Sequence, residues 1–189
     1  YSPTYILTTG KVTNDRFQQF KFKNTYIVGS PKNIDAKLNI KPIKNTKKYL
    51  NILILPDAYI YEVDILLKLL VKIISNDKLN KYHLRLHPKT KLNDTNQKVL
   101  QQLKSCNNIE ISKKSLEEDI NLCQIVIYRG TASIIQSCST GIYPLYYNNN
   151  EKISFDPLFE VFKDQSNFIN NENDFFLKIE DKKKYWLIG

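Results

Sequence analysis

The chain is 189 residues long, with 42% apolar, 12% aromatic and 25% charged residues and a formal net charge of +9. That length holds one domain with a flanking piece, and the balance excludes disordered and fibrous chains. No apolar run reaches the ~18 residues of a membrane span; the longest, residues 65–74, is cut by Lys68 and Lys72, so no transmembrane helix is expected.

Residues 1–24 are of mixed character and include the basic, aromatic run FQQFKFK. TYIV at 25–28 reads as a short buried strand, closed by the turn signal Gly29-Ser30-Pro31. Residues 32–49 are polar and basic with no clean period and read as a linker. From residue 50 the pattern becomes regular. LNILIL is a continuous apolar run of strand length, closed by Pro56 and Asp57. Residues 60–75 place Ile65, Leu66, Leu69, Leu70, Ile73 and Ile74 at helical spacing. Residues 82–86 alternate as a strand that ends at His87-Pro88. A polar helix is expected over 93–104 and a short strand over 109–111. A helix over 115–122 opens on S-x-x-E, the capping-box spacing. QIVIY at 124–128 is a buried strand ending at Arg129-Gly130-Thr131. A short helix over 132–139, a strand over 142–147 and a helix over 172–179 follow.

Strands and helices therefore alternate from residue 50 to 147, and the strands are apolar on both faces. That pattern predicts an α/β fold: a Rossmann-like parallel sheet with helices on both faces. The expected division is 1–49, the end of an N-terminal domain plus a basic linker, and 50–189, a Rossmann-like domain.

The charge is uneven. Residues 1–50 carry ten Lys or Arg against two Asp or Glu, residues 51–128 eleven against nine, and residues 129–189 seven against eight. The basic segment 1–50 could make peripheral contact with an anionic membrane, although a solvated Lys-rich surface is the favoured reading. The aromatics among its lysines would suit single-stranded nucleic acid, but the near-neutral remainder and the absence of a nucleic-acid motif argue for no nucleic acid. The three cysteines, Cys106, Cys123 and Cys138, form no CxxC and no Cys/His cluster, so reduced cysteines in a cytoplasmic protein are expected, with no metal. The opening stretch shows no signal peptide. A chain that opens on Tyr1 and holds no Met is expected to be a piece of a longer protein.

Ligands of an open parallel sheet bind at the carboxyl ends of its strands. Asp57, then Arg85, His87 and Pro88, then Arg129, Gly130, Thr131 and Ser133 all fall there. In Tyr128-Arg129-Gly130-Thr131-Ala132-Ser133 the glycine permits a sharp turn, the following helix start favours an anion, and the hydroxyls and Arg129 can bind phosphate. Arginine is scarce, with only Arg16, Arg85 and Arg129 in the chain. Strand alternation points Arg85 and His87 to the same side, and His87 at a strand end can bind a phosphate or protonate a leaving phosphate. His83, nearer the strand start, reads as a packing histidine. Asp57 is a candidate for a ribose or base contact, with a turn-forming Asp after Pro56 the favoured reading. No GxGxxG or P-loop lysine motif is present, which argues against a dinucleotide or P-loop nucleotide site.

His87-Pro88 and the later Thr131/Ser133 pair, in this order and on these strands, resemble the C-terminal donor-binding domain of GT-B glycosyltransferases. The likeness is to bacterial enzymes with an HP motif and a later Ser/Thr motif: sialyltransferases, capsule polymerases and teichoic-acid glycerophosphotransferases. ASIIQSCSTGIYPLYYN resembles the helix, glycine and Pro-containing strand of such domains. TYIVGSPKN resembles the strand and G-x-P-R turn that end their N-terminal domain, with Lys32 in place of the arginine. The adjacent Ser-Ser or Ser-Thr pair of the family is absent.

The resemblance spans residues 25–180. It implies a nucleotide-sugar donor (CMP-linked favoured) and a glycan or lipid-linked acceptor in surface or capsular polysaccharide synthesis. The implied location is the cytoplasm, peripheral to the inner membrane face. It implies His87 as the catalytic group at the leaving phosphate, and Arg85, His87, Arg129, Gly130, Thr131 and Ser133 as phosphate-binding residues, with no cofactor. The family's catalytic base lies in the N-terminal domain, so none is assigned. A non-catalytic binding or scaffold module and a nucleotide-sugar epimerase of the same architecture remain the alternatives.

Overall fold

The computed structural model describes residues 3–29, 48–150 and 155–188. The chain divides into two compact units, Tyr1–Asn39 and Ile40–Gly189. The division falls inside the basic stretch read as a linker, most of which lies outside the described residues. No helix among the described residues is long and apolar enough to cross a membrane.

In the first unit, β1 (Ile6–Thr8), α1 (Lys11–Gln19) and β2 (Thr25–Ile27) form a β-α-β turn whose two strands pair in parallel. The sequence shows the second strand, which is exposed at Tyr26 and Ile27, as is Val28 after it, rather than buried as expected, and conceals the first strand and the helix. The reason is that α1 buries a polar residue, Asn14, rather than an apolar stripe. The hydroxyl of buried Thr8 donates to the Tyr26 carbonyl at 3.2 Å and lies 3.4 Å from Asn14 Oδ1.

The second unit runs β3 (Asn51–Pro56), α2 (Ile60–Asn76), β4 (Lys81–Leu84), α3 (Asp94–Lys104), β5 (Ile109–Ile111), α4 (Leu116–Leu122), β6 (Ile125–Arg129), α5 (Ser133–Cys138), β7 (Tyr143–Tyr147), β8 (Phe168–Ile169) and α6 (Glu172–Ile188). The six strands pair in parallel in the order β5-β4-β3-β6-β7-β8. Counted from β3, that is the 3-2-1-4-5-6 order of a doubly wound Rossmann-like sheet. The chain winds outward from β3 to β5, returns through α4, and winds outward again from β6.

Strand alternation feeds two cores. One face carries Ile52, Ile54, Tyr82, Leu84, Ile125, Ile127 and Leu145 against α2, α3 and α6. The other carries Leu53, Leu55, Val126, Tyr128 and Tyr146 against α4 and α5. Helix α2 buries eight apolar side chains, from Val63 to Ile74. At ~1.5–3 kcal/mol for each fully buried side chain, this helix is the main anchor of its layer. Pro144 sits inside β7 without an N–H. The Tyr143 amide bonds back to Gln124 and the Tyr146 amide to Asn167, so the missing donor at 144 faces the β8 side, where pairing begins only at Tyr146. That is the ladder position a proline can occupy without loss.

The helix starts follow their side chains. Asn93 accepts from the Asn96 amide at 2.8 Å, and Ser115 and Glu118 form the expected capping box. At the amino edge of the sheet, Asp77 accepts from Tyr82 Oη at 2.5 Å, from Asn80 Nδ2 at 2.6 Å and from the Leu79 and Asn80 amides. Burial alone would push the Asp77 carboxyl up. The bonds from Tyr82, Asn80 and Leu79 outweigh it and hold the carboxyl below its ordinary range. The Tyr82 hydroxyl is pushed up by burial and by Asp77.

Replacing Tyr82 by Phe removes one donor from a buried carboxylate and is expected to lower stability by about 1–3 kcal/mol. A urea midpoint at pH 7 reads this; an unchanged midpoint would mean that Asn80 and Leu79 suffice to hold Asp77.

Candidate functional site

At the carboxyl edge of the sheet the chain reverses its winding between β3 and β6, and a crevice opens there. A cleft of about 170 Å³ lies at this edge, lined by Leu55 and Pro56 after β3, Arg85, Leu86, His87 and Pro88 after β4, Leu116 at the start of α4, and Thr131 and Ser133 after β6. The HP motif and the later hydroxyl pair, far apart in sequence, thus share one cleft. Register explains the meeting: β3 pairs with both β4 and β6, so the two loops leave the sheet on either side of one strand.

His87 is half-buried, and its Nδ1 accepts the Lys89 amide at 3.2 Å. The neutral ring therefore carries its proton on Nε2. The loop also folds back through the Thr90 amide to the His87 carbonyl at 2.9 Å. Thr131 is buried, and its Oγ1 accepts the Ser133 amide at a long 3.4 Å. No side chain caps α5, whose N-cap is Ala132. This helix is only six residues long, so any anion affinity here rests on side chains more than on a macrodipole.

Gly130 has φ +71, the left-handed region that favours glycine. A Cβ there would meet the Asp57 side chain at 3.3 Å. The two loops of the crevice are thus in contact, and the Asp57 carboxylate turns back to accept the Ala58 amide at 2.5 Å.

The arginines stand differently from the sequence expectation. Arg85 lines the cleft, but its guanidinium donates to buried Asp119 at 3.1 Å and to the Lys114 carbonyl. Asp119 also accepts the Ser112 hydroxyl at 2.6 Å. Part of the Arg85 charge is therefore matched within the fold. Arg129 was expected as a charged phosphate ligand and is not in the cleft. It is completely buried, ion-paired with Glu62 of α2, and donates to the Tyr147 carbonyl at 2.9 Å. Alternation is the cause: Arg129 shares the face of Ile125 and Ile127, under α2, while the cleft lies towards α4.

Sequence reading did not identify Asp119, Glu62 or the apolar wall of Leu55, Leu86 and Leu116. The capping box at Ser115 was the one available signal for Leu116. A larger concavity of about 530 Å³ is lined by Ile65, Lys68, Val71 and Lys72 of α2 together with Val99, Gln102, Tyr147 and Asn149. Its cations are paired, Lys68 with Asp64 at 2.6 Å and Lys72 with Glu172 at 3.9 Å. Of its lining only Tyr147 and Asn149 lie at a strand end, that of β7; the rest belong to α2 and α3. The three thiols are free, and burial pushes Cys123 and Cys138 up to about 12, which disfavours their thiolates.

His83 is buried in β4, 3.5 Å from Glu110 and 3.4 Å from Asn51 Oδ1. Burial is the main cause that lowers its pKa; Lys114 and Lys81 add to this, and Glu110 and Asp119 oppose it. The unfolded chain therefore takes up this proton first. The stability contribution is full above about pH 6.5 and is lost as pH falls below it, by no more than about 1.4 kcal/mol per pH unit for one proton. Replacing His83 by Gln should flatten the fall in melting temperature between pH 7 and 5. An unchanged slope would assign the acid sensitivity to other groups.

No protein-family model matches this chain, and no curated protein shows significant similarity to it.

Proposed function

We propose that the chain is the donor-binding domain of a glycosyltransferase of GT-B architecture. Its reaction would belong to surface or capsular polysaccharide synthesis, with a nucleotide-activated sugar as donor and the CMP-linked class favoured by the HP-motif resemblance. The observation that supports this is the meeting of His87-Pro88 with Thr131 and Ser133 in one cleft at the switch point of the sheet.

The chemistry would be displacement at the anomeric carbon. An acceptor oxygen forms the new glycosidic bond and its proton passes to a base that the resemblance puts in the N-terminal domain, while the bond to the donor phosphate breaks and negative charge collects on the leaving phosphate. The N–H of His87 Nε2 would donate a hydrogen bond to that phosphate and stabilise its charge, with Thr131 and Ser133 as hydroxyl donors. A cleft of about 170 Å³ takes the phosphate end of such a ligand. Whole drug-sized ligands occupy ~300–1,000 Å³, so the base and sugar would lie on the rim. Arg85 would support the wall, holding α4 through Asp119.

Calorimetric titration with CMP, UDP, GDP and AMP tests the reading. One nucleotide should bind, and His87→Ala should weaken it about 10- to 100-fold, the value of a hydrogen bond to a charged group, with little change in melting temperature. Absence of binding by all four would overturn the donor reading and leave a non-catalytic binding or scaffold module.

A further inference from the structure

Arg129 is the largest fully buried side chain among the described residues, and the cleft does not use it. A charge out of water is costly unless it is paired. Here the pairing joins three elements: Arg129 ends β6, Glu62 lies in the first turn of α2, and the Tyr147 carbonyl ends β7. The pairing is incomplete, because Nη2 has no hydrogen-bond partner among the described residues. A well-packed apolar pair at such a place is often as stable or more so. Stability alone therefore does not explain the arrangement, and its position offers another explanation. Arg129 directly precedes Gly130, Thr131 and Ser133, and pairs in register with Pro56, which directly precedes Asp57. Glu62 closes the other end of the β3–α2 loop. The ion pair thus ties together the two loops that flank the crevice, from the face opposite the cleft.

We propose that Arg129 and Glu62 are positioning residues. They clamp the β3–α2 loop to the β6–α5 loop so that Gly130 stays against Asp57 while Thr131 and Ser133 face the cleft. Arg129 governs anion binding through that loop and never touches the anion. The effect on ligand affinity rests on the donor-domain reading; the effect on the loop does not.

The test uses the 189-residue chain and the variants Arg129→Lys, Glu62→Gln and the apolar double variant Arg129→Met/Glu62→Leu, with two readouts. Hydrogen exchange at the amides of 57–60 and 130–134 reads the clamp without any ligand. In the double variant these amides should exchange about tenfold or more faster, while those in the middle of β3 and β6 keep their protection. CMP and inorganic phosphate are the ligand probes. Affinity for the one that binds should fall about tenfold or more, and Arg129→Lys, which keeps the charge, should recover part of the loss. Unchanged loop exchange in a folded variant overturns the clamp. If the double variant does not fold, Glu62→Gln and Arg129→Lys decide by the same two readouts. Loss of loop protection with no CMP or phosphate binding by the unaltered chain would uphold the clamp and overturn the donor reading.

Discussion

The second unit depends on the pairing of β3 with β6. These two strands start the two outward windings of the sheet, and every other strand of the unit is added to one side or the other. Five register pairs join them, from Ile52 with Ile125 to Pro56 with Arg129. Because the chain turns away in opposite directions beyond this pair, no crossover covers its carboxyl end. The crevice is therefore a consequence of topology. The residues that follow β3, β4 and β6 face one another there whatever their chemistry.

Charge at this edge is handled by two ion pairs, one on each face. Under α4, Arg85 meets Asp119. Under α2, Arg129 meets Glu62. Together they remove most of the cationic character that a bare count of arginines gives to the edge. Besides Arg85, the polar side chains that line the cleft are His87, Thr131 and Ser133. Such a site gains selectivity from directed hydrogen bonds more than from net charge, and an anion held there should be less sensitive to salt than one on a lysine surface.

Most of the sheet from residue 50 onward was legible in the sequence, because β3 and β6 are continuous apolar runs, β4 alternates, and α2 and α3 carry apolar stripes. Boundaries shifted where backbone geometry decides. The expected strand 82–86 stops at Leu84, although the Arg85 amide still reaches the Ile54 carbonyl at 3.0 Å. The expected helix 172–179 continues to Ile188. Strand β8 has two residues, and α1 buries only Asn14, so neither leaves a periodic trace. The two halves of the cleft were each visible as a strand end followed by polar residues. The burial of Arg129 was not: alternation fixed its face, but the sequence does not show that Glu62, on a helix elsewhere in the chain, lies above it.

The central claim is that His87 and not His83 meets an anion at the switch point. The protein contains two histidines, so nitrogen NMR of the labelled imidazoles resolves both without ambiguity. On addition of CMP the Nε2 resonance of His87 should move in a saturable way while the buried His83 stays in place. Movement of neither ring, or of His83 alone, would contradict the account.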